Sequence, residues 1–210
     1  MTRWAEMRPP GGGEPKQAAP PIDVPAWHAQ GPRVAILIVI ALRVLVPLSI
    51  LRYPLGGAIA CLLLDAFDVV LVDALARMLG EPPDFGPVYP ALDKVLDTWY
   101  LGIELFVAWT RWPEKVLRRT AAALFAWRLA GVILFEASGV RPLLLVFPNL
   151  FENFYLYVTI CRRWFPRLIP RSTLTLLVVL VVLLLPKLAQ EWLLHFAQFH
   201  PWQWLKTTFG

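Results

Sequence analysis

The chain has 210 residues, enough for one domain of ordinary size. Apolar residues make up 58% and charged residues 17%, against roughly 25% charged in an average soluble domain, and the mean hydropathy is +0.57. That balance excludes a disordered chain, a coiled coil and a nucleic-acid-binding domain with a solvated basic face. The net charge of +5 then reads as loops that face the anionic headgroups of a lipid bilayer.

Residues 1–33 contain seven prolines and the run Gly11-Gly12-Gly13, which predicts a flexible, extended tail. They do not read as a secretory signal, because the apolar run begins only at Val34 and no small-residue cleavage pattern follows it. Six apolar stretches near spanning length come next, at about 34–51, 55–79, 92–112, 121–139, 142–160 and 173–196. Turn-rich breaks separate them, and nothing alternates at period two, so helices are expected rather than barrel strands. Trp99, Trp112, Trp164, Trp202 and Trp204 fall near segment ends, where interfacial belts form. The expected fold is therefore an all-α integral membrane protein, a six-transmembrane-helix bundle with a polar interior over 34–196. Residues 197–210 are expected to form an interfacial C-terminal segment.

Loop charge orients the bundle. Arg111, Lys115, Arg118 and Arg119 follow the third stretch, and Arg162, Arg163, Arg167 and Arg171 follow the fifth. Together with Arg52 they mark the cytoplasmic side. The loop at 80–91 carries Glu81 and Asp84 but no Lys or Arg, so it faces the opposite side and both termini lie outside. Against this, the tail brings Arg3, Arg8, Lys16 and Arg33 to that same outer side.

The informative residues are the ionisable groups inside the apolar runs. Each costs roughly 2.5–3.5 kcal/mol at a helix centre on insertion scales, so a set of them demands a protein-lined interior. The first stretch has Arg43, four residues before Pro47; the second has Asp65, Asp68 and Asp73. The third has Asp93, Asp97, Tyr100, Glu104 and Arg111, which at 100° per residue fall within about 60° of arc as one polar stripe. The fourth has Arg128 and Glu136, the fifth Asn149, Glu152 and Asn153 directly after Pro148, and the sixth Lys187, Gln190, Glu191 and His195. Acids outnumber bases. The surplus carboxylates must be protonated, solvated by a cavity or neutralised by a cation.

Asp65-x-x-Asp68 and Asp93-x-x-x-Asp97 each place two carboxylates on one helix face. Two such faces meeting across a loop of about a dozen residues make an all-oxygen site for a hard divalent ion, Mg²⁺ or Mn²⁺ before others. Lys94, Arg43 and Arg128 are the groups expected to hold an anionic substrate, alongside Asn149, Glu152 and Lys187; Lys94 and Arg77 are the bases nearest the aspartates, and Arg128 is the expected partner of Glu136 or Glu152. Glu104, Glu191 and His195 are the candidate bases. The plain alternative is a set of ion pairs that only fix helix register. His-Glu-x-x-His, Gly-x-Ser-x-Gly and a phosphate-cradling glycine loop do not occur. Cys61 and Cys161 form neither a disulfide framework nor a thiol metal motif.

The two Asp pairs resemble those of the CDP-alcohol phosphotransferases, six-helix membrane enzymes with D-x-x-D-G-x-x-A-R on the second helix and G-x-x-x-D-x-x-x-D at the third. The resemblance implies that Asp65, Asp68, Asp93 and Asp97 share one site. The chain departs from the pattern at Val69 and Tyr89, where glycines stand in that family, and at Ala76-Arg77, which comes too late after Asp68. Over residues 60–200 the chain also resembles an uncharacterised family of bacterial polytopic membrane proteins. The shared stretches are Asp93-Lys94-Val95-Leu96-Asp97 with Tyr100-Leu101, Phe147-Pro148-Asn149 with Phe151-Glu152, and Lys187-Leu188-Ala189-Gln190-Glu191-Trp192 with His195. That likeness implies one module in a bacterial cell membrane and supplies no activity.

Three functions fit these residues. One is a divalent-metal-dependent membrane enzyme acting on a lipid phosphate or similar amphiphile. Another is a transporter or proton/cation pathway using the same carboxylates. The third is a structural subunit held together by its ion pairs. The lipid bilayer is the expected partner in each case, and nucleic acid in none.

Overall fold

A computed structural model describes residues 34–81, 89–140 and 142–191. The proline-rich tail, residues 192–196 with His195, the segment 197–210 and the side chain of Glu191 lie outside the described residues. The described residues are all helical, with turns between. Helix α1 spans Val34–Leu45 and continues as a 3₁₀ segment, Val46–Leu51. Helices α2 (Pro54–Ala66), α3 (Asp68–Leu79), α4 (Tyr89–Arg111), α5 (Lys115–Ser138), α6 (Pro142–Val146), α7 (Leu150–Trp164) and α8 (Thr173–Glu191) follow.

Three of the expected stretches are interrupted, two of them at a proline. In the first, Pro47 has no N–H for the carbonyl of Arg43, and the helix tightens to 3₁₀ from Val46. The second was expected as one continuous helix over 55–79; it is instead α2 and α3, bent by 65° at Phe67. The fifth is broken between α6 and α7 at Phe147-Pro148-Asn149, because the residue before a proline avoids the helical region. The fourth begins at Lys115 rather than near 121, so Lys115, Arg118 and Arg119, read as loop residues, are the first turns of α5.

Long-range donors repair these interruptions. The Trp99 indole Nε1 donates to the Val44 carbonyl at 3.1 Å. Arg111 donates to the Leu51 carbonyl at the end of the 3₁₀ segment. Arg128 Nη1 donates to the Phe147 carbonyl at 3.1 Å, at the α6–α7 break. At the other end of α1, the carboxylate of Glu81 accepts from the Val34 and Ala35 N–H groups, both at 3.1 Å. An acid there meets the orphan donors and the positive end of the helix dipole. It also ties the end of α3 to the start of α1, so these two helices run antiparallel.

α7 is the central post. Phe151, Phe154, Tyr155 and Val158 lie at i, i+3, i+4 and i+7 and are all fully buried, one helical face against α4, α5 and α2. Trp112 stacks on Tyr155 at 5.8 Å between ring centroids and meets Phe154 edge-on at 6.0 Å. Close approach depends on two glycines. A Cβ on Gly57 would sit 2.6 Å from the Ile50 backbone nitrogen, where α2 crosses the 3₁₀ segment, and one on Gly131 would sit 2.2 Å from Phe147 Cβ. Small residues at such crossings are what lipid-embedded helices use to pack, since there is no hydrophobic drive between them.

The outer surface is apolar. Leu174, Leu177, Val178, Val181, Val182 and Leu185 of α8 are all more than half exposed, while Arg43, Glu104, Glu152 and Lys187 are buried. This inverts the soluble pattern and suits a hydrocarbon surround. Among the described residues two helical stretches suffice by length and composition to cross a membrane, Val34–Leu51 and Lys115–Ser138, or three if the bent pair α2–α3 counts as one.

Candidate carboxylate centre

Arg43 lies midway along the first apolar stretch and is 4% exposed. Its position on α1 faces the α2–α3 bend on one side and the first turns of α4 on the other. All four aspartates of the two motifs converge on it. Nη1 bonds Asp68 at 2.7 Å and also Asp93; Nη2 bonds Asp65 at 2.5 Å and also Asp97. The helix break is what allows this. Asp65 closes the last turn of α2 and Asp68 opens α3, where its Oδ1 accepts the Val69 N–H at 2.5 Å. Asp93 and Asp97 share one face of α4 a turn apart.

The sequence placed only Lys94 and Arg77 beside these acids as counter-charges. The structure corrects this. Arg43 is the base at the centre, Arg77 pairs with Asp73 at 3.0 Å, and Lys94 approaches Glu136 of α5 at 3.8 Å with its ammonium over the Phe135 ring. Arg128 was expected to pair with Glu136 or Glu152; it bonds the Phe147 carbonyl instead. The Phe147 carbonyl has lost its helical donor at the chain break, and the Arg128 guanidinium supplies one.

One guanidinium against four carboxylates leaves a formal charge of −3. Asp65, Asp93 and Asp97 each offer one oxygen, all within 4.8 Å of one another, an arrangement that can hold a metal ion. Hard divalent cations bind carboxylate oxygens at 2.0–2.6 Å. Asp68, the fourth acid of the motifs, stays on the Arg43 side of the cluster and is not part of that group.

The polar stripe of α4 continues away from the cluster. Tyr100 is buried and donates its hydroxyl to Glu152 Oε1 at 2.9 Å. Asn149 Nδ2 donates to Glu152 Oε2 at 2.9 Å. Glu104, one turn beyond Tyr100, is 1% exposed, and neither of its oxygens has a hydrogen-bond partner. Lys187 and Arg128 act electrostatically on Glu152, and Lys187 is buried. So the structure gathers Arg43 with the four aspartates, and separately Tyr100, Glu104, Asn149 and Glu152. The side chain of Glu191 and the whole of His195, both read as candidate bases, lie outside the described residues.

A groove of about 780 Å³ opens on the outer face beside the cluster. Leu48, Val95, Trp99, Phe106 and Val132 make it apolar, and Lys94 and Glu136 stand in it. A smaller cavity next to it joins Lys94 and Thr98 of the groove to Asp97 and Arg128. Nothing in the sequence announced the groove, since its walls come from three separated helical segments.

No family model matches the chain, and neither curated proteins nor solved structures give a match. The two resemblances read from the sequence therefore rest on their motifs alone.

Proposed function

We propose that the chain is a six-helix integral membrane protein that holds a divalent cation, Mg²⁺ or Mn²⁺, at Asp65, Asp93 and Asp97 and acts on an anionic amphiphile such as a lipid phosphate. In this reading α1 with its 3₁₀ extension, α2–α3, α4, α5, α6–α7 and α8 are the six crossings, in a bacterial inner membrane. The basic segments 111–119 and 161–171, helix ends with the short turns between them, lie on the cytoplasmic side. Charge balance carries the proposal. Four carboxylates share one guanidinium, three of them a quarter to a third exposed, and so many acids around one base favour further positive charge at the exposed side of the cluster. A hard dication at three converging oxygens supplies it and leaves each carboxylate ionised for its bond to Arg43.

The groove supports the amphiphile. Its apolar walls suit an acyl chain, and its end at Lys94 adjoins the cavity that holds Asp97 and Arg128. A bound cation would polarise a phosphate ester there. Asp65, Asp93 and Asp97 hold the charge, while Lys94 and Arg128 stand where an anionic group would arrive.

The purified protein in detergent, titrated with Mn²⁺ under equilibrium dialysis, is expected to bind it at a saturable site that Asp97→Asn weakens at least tenfold. Absence of saturable binding at millimolar Mn²⁺ sinks the metal centre.

A second reading, a proton or cation pathway, draws on the continuation of polar groups through Tyr100, Glu152 and Asn149 and on the interrupted helices beside them, a feature of transporter sites. Proteoliposomes that acidify on an imposed potential, with no Mn²⁺ bound, would favour it.

A further inference from the structure

Among the described residues Glu104 is the most completely enclosed acid. It is 1% exposed, and both carboxyl oxygens lack a hydrogen-bond partner. Its surroundings are Cys61 of α2, Tyr100 of its own helix and Tyr155 of α7, all buried. An ionised carboxylate with no donor in such a place costs several kcal/mol, more than a helical bundle of marginal stability tolerates. Glu152 across the gap is the opposite case. Both of its oxygens accept a hydrogen bond, from Tyr100 and from Asn149, and Lys187 and Arg128 lie within electrostatic reach. The Oδ1 of Asn149 is buried and without a partner as well, so an acceptor waits on the Glu152 side.

We propose that Glu104 is a buried proton-binding site, its carboxyl protonated at rest, beside Glu152, which is held as the hydrogen-bonded carboxylate by Tyr100 and Asn149. Tyr100 is the positioning residue, since its hydroxyl fixes Glu152 Oε1 and stands one turn from Glu104. The other titratable or charged groups facing the pair are Cys61 and Asp65 from α2, Asp97 from α4, Arg128 from α5, Tyr155 from α7 and Lys187 from α8. The inference goes beyond the metal centre and does not depend on it: Glu104 lies two turns of α4 from Asp97, and no aspartate of the cluster bonds it.

Infrared spectroscopy of the full-length protein in lipid reads protonated carboxyls directly, through a C=O stretch that carboxylates and amides do not show. At neutral pH the wild type is expected to show such a band, and Glu104→Gln to lose it. Tyr100→Phe is expected to shift the same band by releasing Glu152, and it serves as the readout if Glu104→Gln does not yield folded protein. Asp97→Asn is expected to leave the band in place even where it abolishes Mn²⁺ binding, which separates this inference from the metal centre. A wild-type spectrum without the band, or a band unchanged in both Glu104→Gln and Tyr100→Phe, overturns the proposal.

Discussion

The two polar regions of this bundle handle negative charge in opposite ways. Around Arg43, four acids are held by one base through charge-assisted bonds. One to two turns further along α4, Glu152 is held by a phenol and an amide, and Glu104 by nothing. In the first region a guanidinium bonds every acid; in the second the bonds to Glu152 from Tyr100 and Asn149 are those of neutral donors, with Lys187 and Arg128 adding positive charge near it. The difference shows what a guanidinium does that hydrogen-bond donors cannot. It draws acids from three helices, α2, α3 and α4, to one point, and so makes a tertiary lock out of residues that would otherwise repel.

Removing the lock should have the largest effect. Arg43→Met leaves four facing carboxylates without their shared base, and breaking a buried pair from one side costs about 3–5 kcal/mol. The expected result is loss of the monodisperse species in detergent, read by size-exclusion chromatography. Partial rescue by adding Asp68→Asn and Asp97→Asn would show that repulsion, not lost packing, is responsible. An Arg43→Met protein as heat-stable as the wild type would mean that the aspartates do not need the guanidinium.

A packing change sets the scale for a loss unrelated to charge. Gly131→Ala places a methyl group on Phe147 at the α6–α7 break, and overpacking of this kind costs about 1–3 kcal/mol. The lowered thermal midpoint should be insensitive to pH, whereas the Arg43 variant should regain stability as acid neutralises its unpaired aspartates.

Tyr100→Phe tests the other region more gently. It removes one hydrogen bond to a charged acceptor, worth about 1.5–3 kcal/mol, and leaves Glu152 with Asn149. Unfolding in detergent should come at lower temperature while Mn²⁺ affinity is kept. A loss of affinity comparable to that of Asp97→Asn would merge the two regions into one.

The smallest effect is expected at the rim. Glu81→Gln keeps shape and a carbonyl acceptor at the start of α1 but removes the charge that meets the helix dipole. The expected cost is about 0.3–1 kcal/mol, and it should shrink further in high salt. Hydrogen exchange confined to the first turn of α1 would report it.

Much of this organisation was legible in the residues themselves. Spacing placed Asp93, Asp97, Tyr100 and Glu104 on one face of a helix, because a 3.6-residue repeat is a property of the local chain. Composition gave the helical class and the apolar exterior, since backbone groups without water must bond within their own segment. Pro47 and Pro148 marked two of the three interruptions through their missing N–H groups and their restriction of the preceding residue. The bend at Phe67 carried no such mark. Nor did the partners of the charges. Which base meets which acid depends on where helices separated by 22–54 residues come to lie, and helix packing, not sequence distance, decides that. Tertiary structure thus chose Arg43 over Lys94 for the aspartates, gave Arg128 to a broken backbone, and left Glu104 enclosed without a donor, because a charge in a low-dielectric interior is governed by the few groups within reach of it.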